Sequence, residues 1–250
     1  MARSWKAKRQ IKKYITGYKE DRRGRDAADV VGSILVGVCS VLLAISFPLA
    51  TVTAGVNIVF RIPDLYAFEV DRGEVLNEVK LEITAEQVGD VISDYFRHKT
   101  DEFVLTSELR GRTIQVFTFF EKARMEQFRA ILDKCLTLSV GSAGLTVVLF
   151  LLLFAFGRKR LLRGAFRGSV AVYVLSAGFV VAFAGVDTLR TRILQVMDLT
   201  FSGDERLLQF FGAVYRFEAA GVVIGISLIL YIAVFSVARW LYREEERLFA

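Results

Sequence analysis

The stretch VGSILVGVCSVLLAISFPLATVTA, residues Val31–Ala54, is the first of four apolar runs that contain no charged residue. A membrane span needs about 20 mainly apolar residues, because each helical residue rises about 1.5 Å and the hydrocarbon layer is about 30 Å thick. Three runs meet this length and the third is slightly short. The sequence therefore predicts an α-helical membrane protein with four transmembrane helices. The runs are Val31–Ala54, Leu136–Phe156, Ser169–Val186 and Ala219–Val237.

The charges that flank these runs predict the orientation of the chain. Residues 1–29 carry ten Lys and Arg against four acids, and residues 157–168 carry five basic residues and no acid. Three more arginines follow the fourth run, together with three glutamates. Basic segments next to spans stay on the cytoplasmic side, so both termini are expected there and the long polar segment 61–134 is expected outside. The net charge of +6 reflects this topology, and we predict no nucleic-acid partner.

This topology divides the chain into membrane, cytoplasmic and outer segments. The segments are a basic cytoplasmic extension (1–29), helix one (30–60), an extracytoplasmic cap (61–134), helix two (135–156), a basic cytoplasmic loop (157–168), helix three (169–186), an outer amphipathic segment (187–218), helix four (219–238) and a cytoplasmic tail (239–250). The outer amphipathic segment is expected to lie at the membrane interface or to pack under the cap.

The long polar segment contains the signals of a small α+β cap between spans one and two. Val79–Ile83 alternates apolar and charged residues as a half-buried strand does. Thr84 and Gln87 form a capping box, in which each side chain satisfies a backbone N–H that the first helical turn leaves free. Two segments of strand composition follow, Phe103–Thr106 and Arg112–Phe119, joined by a short turn.

A second capping box begins the helix that connects the cap to the membrane. It consists of Thr118 and Glu121, and no Pro or Gly follows before Gly141. We predict one continuous helix from about Phe119 to Phe156, which at about 1.5 Å per residue would be about 57 Å long. About half of it would stand above the bilayer and pack against the cap. The residues predicted to face the cap are Met125, Phe128 and Leu132.

The cysteines, a pair of glycines and three tyrosines are interpreted as packing or anchoring residues. Cys39 and Cys135 are expected to pack at different depths, and no Cys/His spacing predicts a metal or another cofactor. The pattern Gly221-x-x-x-Gly225 predicts close helix packing within the bundle, with a dimer interface as the alternative. Three tyrosines are interpreted as interfacial anchors rather than as general acids. They are Tyr66, Tyr95 and Tyr215.

Two stretches of the chain resemble the lipoprotein intramolecular transacylases (Lit-type proteins), between about Val30 and Val237. The first is TFFEKARMEQF, residues 118–128, where Glu121 and Met125 match the family's helix start but Arg124 stands at the catalytic histidine. The second is VDTLRTRILQV, residues 186–196, where Asp187 matches and Leu194 stands at the second histidine. The resemblance implies four spans, an outer cap and a bacterial cytoplasmic membrane.

The resemblance also implies a chemistry that these two positions do not support. The family moves an acyl chain from a glyceryl ester to the free amine of the same lipoprotein. Imidazole can exchange the necessary protons at neutral pH, because its pKa is near 6.5. Arginine stays protonated and leucine does not titrate, so neither Arg124 nor Leu194 can act as the base. The two-histidine mechanism is therefore expected to be absent.

The sequence allows candidate roles for four other residues. His98, the one histidine, is either a substitute catalytic group or a solvated turn residue. Glu121 is either a base or a helix cap. Arg124 is either an anion clamp or a partner of Glu121 on the helix surface. Asp187 is expected to bind Arg124 or Arg129 of the cap helix.

Two function classes follow. The first is a non-catalytic Lit-like membrane protein that binds a lipid, a lipoprotein or a protein partner at the cap–membrane interface of the outer leaflet. In it, the ligand-binding residues are Arg124, Asp187 and Glu121. The second is a lipoprotein acyltransferase with substituted catalytic residues, for which Glu121 and His98 are the candidates. The basic extension suits a cytoplasmic protein partner or anionic lipid equally well.

Overall fold

The computed structural model describes the backbone of residues 2–72, 83–109, 112–156, 159–197, 199 and 213–248, and the side chains of 30–72, 83–108, 113–156, 161–197, 199 and 215–241. Four helices in these ranges are long and apolar enough to cross a membrane. The chain is thus a multi-pass membrane protein. The four spans lie within Val30–Val59, Phe119–Ala155, Leu161–Gly185 and Tyr215–Leu241.

Helices account for most of the described residues, and one hairpin lies in the cap. The two strands pair antiparallel with Thr106 opposite Gln115 and Leu109 opposite Arg112. In chain order the elements are α1 (Ala2–Val59), α2 (Pro63–Arg72), α3 (Ala85–Phe96), β1 (Thr106–Leu109), β2 (Arg112–Gln115), α4 (Phe119–Ala155), α5 (Lys159–Gly185), α6 (Asp187–Val196) and α7 (Ala213–Leu248).

Helix α1 packs against each of the other three spanning helices, and hydroxyl groups help to join them. The Ser139 hydroxyl on α4 donates to the Ala50 carbonyl at 3.3 Å. Thr146 on α4 and Ser46 on α1 lie 3.0 Å apart through their hydroxyl oxygens. Such bonds hold helices together in lipid, where apolar burial between helices gives no advantage over contact with lipid tails.

Close helix packing in the bundle occurs at Gly55 on α1. A Cβ atom at Gly55 would lie 2.9 Å from the carbonyl oxygen of Val223 on α7, so only glycine allows this approach. At Gly221 and Gly225 an added Cβ would meet nothing within 4 Å. The interpretation of these two glycines as packing residues within the bundle is therefore wrong, because their face of α7 points away from the neighbouring helices.

The cap packs on the membrane-distal half of α4, as the apolar stripe predicted. Met125 and Leu132 are buried, and the half-buried Phe128 ring lies 5.3 Å from that of Phe60 and 5.4 Å from that of Phe96. This core continues into the ends of α1 and α7, so the cap and bundle share one apolar interior. Its fully buried members include Val59, Tyr66, Val88, Ile92, Phe96 and Val116.

Both capping boxes and the continuous helix α4 are confirmed. Other boundaries differ from the predictions. The first strand of the hairpin begins at Thr106 rather than at Phe103, and the second ends at Gln115 because Thr118 already caps α4. The basic segment predicted as a loop is helical from Lys159, since Lys, Arg and Leu favour helix and no Pro interrupts them.

Helix α7 begins at Ala213, six residues before the predicted fourth span. The strand predicted at Val79–Ile83 lies, apart from Ile83, outside the described residues. The same holds for the turn and apolar positions predicted between Ser202 and Phe211.

Candidate functional site

Glu121 serves as a helix cap in this fold. Its side chain is only 1% exposed, and its Oε2 atom accepts from the Thr118 backbone N–H at 2.7 Å and from the Thr118 hydroxyl at 2.9 Å. These contacts satisfy a donor of the first turn of α4 and fix the direction in which the chain enters the helix. The capping interpretation of Glu121 is confirmed.

Asp187 does not contact the cap helix. Its carboxylate is 81% exposed, and it forms an ion pair with Arg190 one turn along α6. The prediction that Asp187 binds Arg124 or Arg129 is wrong, because Arg190, three residues further along the same helix, is its nearest cation. Leu194 is half-buried on α6 and Arg124 is half-buried on α4. A ligand role for Arg124, Asp187 and Glu121 stays a prediction.

The structure instead brings together a polar cluster where the cap meets the spans. Arg61, just after α1, is its centre. Its guanidinium donates to the Phe96 carbonyl at 3.0 Å, to Asn57 Oδ1 at 2.6 Å and to Asp133 Oδ1 at 3.4 Å. The Arg61 carbonyl accepts from the buried Ser93 hydroxyl at 2.8 Å. We call Asn57, Arg61, His98, Arg129 and Asp133 the junction cluster.

His98 is held in this cluster by both ring nitrogens. It follows α3 in a left-handed conformation, with φ of 58°. Its Nε2 atom lies 3.0 Å from Asp133 Oδ1, and its Nδ1 atom accepts from the guanidinium of Arg129. Arginine only donates, so this network assigns the neutral tautomer that carries the proton on Nε2. The His98 side chain is half-exposed in a turn, as the solvated-turn interpretation predicted, and this network adds protein partners at both of its ring nitrogens.

Arg129 is itself fixed by the cap. Its guanidinium stacks over the Tyr95 ring, with 4.5 Å between its central carbon and the ring centroid. It also donates to the Thr100 carbonyl at 3.4 Å. Stacking of this kind stabilises arginine over an aromatic face and limits its freedom to leave His98.

A cavity of about 370 Å³ lies beside the cluster, between α1 and α4 at the cap end of the spans. Most of its wall is apolar, and Ile58 and Leu136 are partly exposed on the membrane-facing side. Arg61 and Arg97 provide positive charge at the same cavity. Arg97 forms no ion pair with any residue that the structure describes. We call this the junction cavity; it is lined by Ala54, Asn57, Ile58, Arg61, Ile62, Arg97, Leu136 and Ser139.

A second cavity, of about 490 Å³, lies in the cap against α4. We call it the cap groove. Asp133 lines the cap groove and its partner Arg61 lines the junction cavity, so the Arg61–Asp133 ion pair stands between the two. Neither cavity is lined by Arg124, Asp187 or Leu194. The cap groove is lined by Tyr95, Asp101, Glu102, Phe103, Val104, Phe119, Lys122, Ala123, Glu126, Arg129, Ala130 and Asp133.

The tyrosines predicted as interfacial anchors are buried in the core. Tyr66 and Tyr215 stack with ring centroids 5.6 Å apart, and Tyr95 lies under Arg129. Burial is the main cause, and Tyr215 a further one, that raises the pKa of the Tyr66 hydroxyl well above its ordinary value. The anchor interpretation is wrong because α2 folds back onto the start of α7 and covers Tyr66 and Tyr215, while Phe103 and Arg129 cover Tyr95.

Metal chemistry finds no support in the described part of the chain. It contains no group of three or more His, Cys, Asp or Glu side chains able to hold a metal ion. Cys39 and Cys135 are free and half-buried, as packing residues are. Cys135 lies 4.0 Å from the Thr53 carbonyl through its sulfur atom, next to the junction cavity.

Comparison with known proteins gives a clear result for the fold. No protein-family model and no curated protein sequence matches the chain. Three solved structures do match it, all of the membrane integral lipoprotein intramolecular transacylase Lit from Bacillus cereus. The first has a TM-score of 0.60 at 13% identity, and covers 86% of this chain and 99% of the Lit chain.

The other two structures are Lit variants in which a histidine is replaced. The arginine variant has a TM-score of 0.67 at 13% identity and covers 90% of this chain and 99% of its own. The alanine variant has a TM-score of 0.66 at 12% identity, with coverage of 87% and 98%. The chain therefore has the fold of a small four-span membrane protein with a cap. That fold is the Lit fold, as the sequence resemblance predicted.

Proposed function

We propose that this Lit-like protein binds a lipid or lipoprotein of the outer leaflet in the junction cavity, and that it does not transfer an acyl chain. The observation that carries the proposal is the cavity itself, with an apolar wall toward the membrane and arginines toward the cap. This pairing suits an amphiphile, whose acyl chain lies along Ile58 and Leu136 while its polar part meets Arg61 and Arg97.

The absence of transfer is supported by the state of the proton-exchanging groups. A general base needs a free lone pair directed at the substrate amine. In His98 the Nδ1 lone pair accepts from Arg129 and the Nε2 proton points at Asp133. Arg124 and Leu194, at the positions that resemble the family's histidines, have no titratable base to offer at neutral pH.

The alternative is an acyltransferase with substituted catalytic residues. One observation favours it: His98 is oriented by a carboxylate, Asp133, as catalytic histidines often are. Breaking the contact with Arg129 would free Nδ1 for a proton. Quantification of the free terminal amine of a lipopeptide after incubation with the protein distinguishes this alternative from binding alone.

The proposal includes an orientation and a location. The basic segments 1–29 and 157–168 support cytoplasmic termini and a cap outside the bacterial cytoplasmic membrane. On this topology the junction cavity lies at the outer leaflet. The extension 1–29 is then available to a cytoplasmic protein partner or to anionic lipid on the inner side.

Binding is tested by filling the cavity. Protein in phosphatidylcholine nanodiscs is titrated with a fluorescent diacylglyceryl lipopeptide, and Ala54→Phe is compared with the wild-type chain. Ala54 lines the cavity and is half-buried. The matched control is Ala143→Phe, the same change at an exposed position of α4 outside the cavity.

We expect Ala54→Phe to weaken binding at least tenfold while Ala143→Phe leaves it unchanged. A phenylalanine ring would occupy volume that the ligand needs, and one methylene-sized misfit in an apolar pocket already changes affinity by about 10-fold or more. Equal affinity of both variants and the wild type would place the ligand elsewhere on the protein and refute the proposal.

A further inference from the structure

The cap groove runs along one face of α4. Apart from two adjacent pairs, its residues on this helix recur at intervals of three or four positions, which is the spacing of a single helix face. From Phe119 to Asp133 the face is about 21 Å long at about 1.5 Å per residue. The opposite wall is the segment 101–104 that precedes β1. The helix residues are Phe119, Lys122, Ala123, Glu126, Arg129, Ala130 and Asp133.

The floor of the groove is low and partly apolar. Ala123 and Ala130 are exposed and their small side chains leave room above the helix. At the membrane-distal end Phe119 is 80% exposed, and the adjacent Phe120 is 74% exposed. These two adjacent rings form an exposed apolar patch at this end of the groove, and contiguous apolar patches are typical of interaction surfaces.

The charges at the rim are unbalanced toward acid. Four carboxylates line the groove against two cations. The Lys122 ammonium donates to Gln115 at 2.8 Å, and Arg129 is held by His98 and Tyr95. Three of the carboxylates form no ion pair with any described residue, and they remain available to a ligand. They are Asp101, Glu102 and Glu126.

We propose that the cap groove binds an extended polypeptide segment that carries basic side chains. An extended chain rises about 3.3 Å per residue, so about six residues fill a groove of about 21 Å. Lysine or arginine side chains of the segment meet Asp101, Glu102 and Glu126, and an apolar side chain covers Phe119. Complementary charge of this kind selects the partner and speeds its encounter.

This inference rests on the proposed function in one respect, the identity of the segment. The segment is the polypeptide part of the ligand whose lipid part lies in the junction cavity. The Arg61–Asp133 ion pair stands between the two cavities, so a single lipidated chain that crosses over this pair occupies both. A basic residue near the lipidated end then follows as a requirement for the ligand.

The experiment uses free peptides, so that its outcome does not depend on lipid binding. The full chain in phosphatidylcholine nanodiscs is titrated by fluorescence anisotropy with two labelled hexapeptides. One is Ser-Lys-Val-Lys-Ser-Lys and the other has glutamate in place of each lysine. Empty nanodiscs report binding to lipid. The variants are Glu102→Gln with Glu126→Gln, and Ala130→Trp, which fills the groove floor.

The matched control is Glu86→Gln, the same chemical change at an exposed position on α3 outside the groove. We expect the lysine peptide to bind at least tenfold tighter than the glutamate peptide at low salt. The double variant and Ala130→Trp should each weaken it at least fivefold, and Glu86→Gln should not.

Equal binding of the two peptides, no binding of either, or equal effects of the groove and control variants would overturn the inference. Self-association of the protein that Ala130→Trp abolishes would make the occupant a second copy and would also overturn it. If the protein binds the lysine peptide but does not bind the diacylglyceryl lipopeptide, only the proposal of lipid binding is refuted.

Discussion

Replacing Arg61 with alanine should weaken the attachment of the cap to the membrane helices. The Arg61 side chain is 17% exposed and connects α1, the end of α3 and α4. The substitution removes the donors that satisfy the Phe96 carbonyl and the Asn57 side chain. Among the residues that the structure describes, it also leaves the Asp133 carboxylate with His98 as its remaining partner.

The magnitude follows from the quality of each contact. A hydrogen bond from a charged donor contributes about 1.5–3 kcal/mol. Two of the three contacts, at 3.0 and 2.6 Å, have good lengths, and the 3.4 Å contact to the partly exposed Asp133 contributes little. We therefore expect Arg61→Ala to lower the free energy of unfolding by about 3 kcal/mol. Arg61→Lys keeps the charge but loses the planar guanidinium that donates to several acceptors at once. It should lower the free energy of unfolding by about 1–2 kcal/mol.

The assay is an equilibrium titration of purified protein in mixed micelles with sodium dodecyl sulfate, followed by far-ultraviolet circular dichroism. The control is Arg72→Ala, which breaks the half-exposed ion pair with Glu218 at the edge of the cap. Exposed pairs contribute about 0–1 kcal/mol, so this variant should change little. If Arg61→Ala lost less than about 0.5 kcal/mol, the cluster would not hold the cap to the bundle.

Three further predictions concern packing and topology. Gly55→Val should destabilise the bundle, because its Cβ would lie 2.9 Å from a carbonyl oxygen of α7. Gly221→Val, with open space around it, should not. The midpoints of thermal unfolding of the two variants compare these effects. Phe128→Ala should cost about 3 kcal/mol in the same detergent titration, since its ring packs on two others; a loss below about 0.5 kcal/mol would place it on the surface. The topology is tested in a chain in which Cys39 and Cys135 are replaced by serine. A cysteine introduced at Glu102 should react with an impermeant thiol reagent in intact cells, and one at Arg160 should not. Reversed reactivity would overturn the charge-based topology.

Local signals in the sequence predicted much of the fold. The four spans follow from runs of apolar residues, and the starts of α3 and α4 follow from capping boxes whose partners are three residues apart. Such patterns need no knowledge of distant contacts. The length of α4 followed in the same way, because neither Pro nor Gly interrupts its first 22 residues.

The junction cluster did not follow from the sequence, because its contacts join residues far apart in the chain. Arg61 and Asp133 are separated by 72 positions, and His98 and Asp133 by 35. The available signal was weak: charged residues at the cap ends of two adjacent spans must find partners near lipid. For the same reason the regular spacing of Gly221 and Gly225 predicts helix packing at the wrong glycines, whereas Gly55, whose neighbour Val223 is distant in the chain, gives no local signal.

The central claim is that the protein binds a lipidated ligand without acylating its amine, and one measurement tests it most directly. Purified protein is incubated with a diacylglyceryl lipopeptide, and the free terminal amine is then quantified with an amine-reactive label, since an intramolecular shift leaves the mass unchanged. We predict that the amine stays reactive, because Arg124 and Leu194 supply no base and His98 is engaged at both nitrogens. Restoring imidazoles with Arg124→His and Leu194→His should recover a trace of turnover. Blocking of the amine by the unmodified protein, abolished by His98→Ala or Glu121→Gln, would contradict the claim and identify the substitute base.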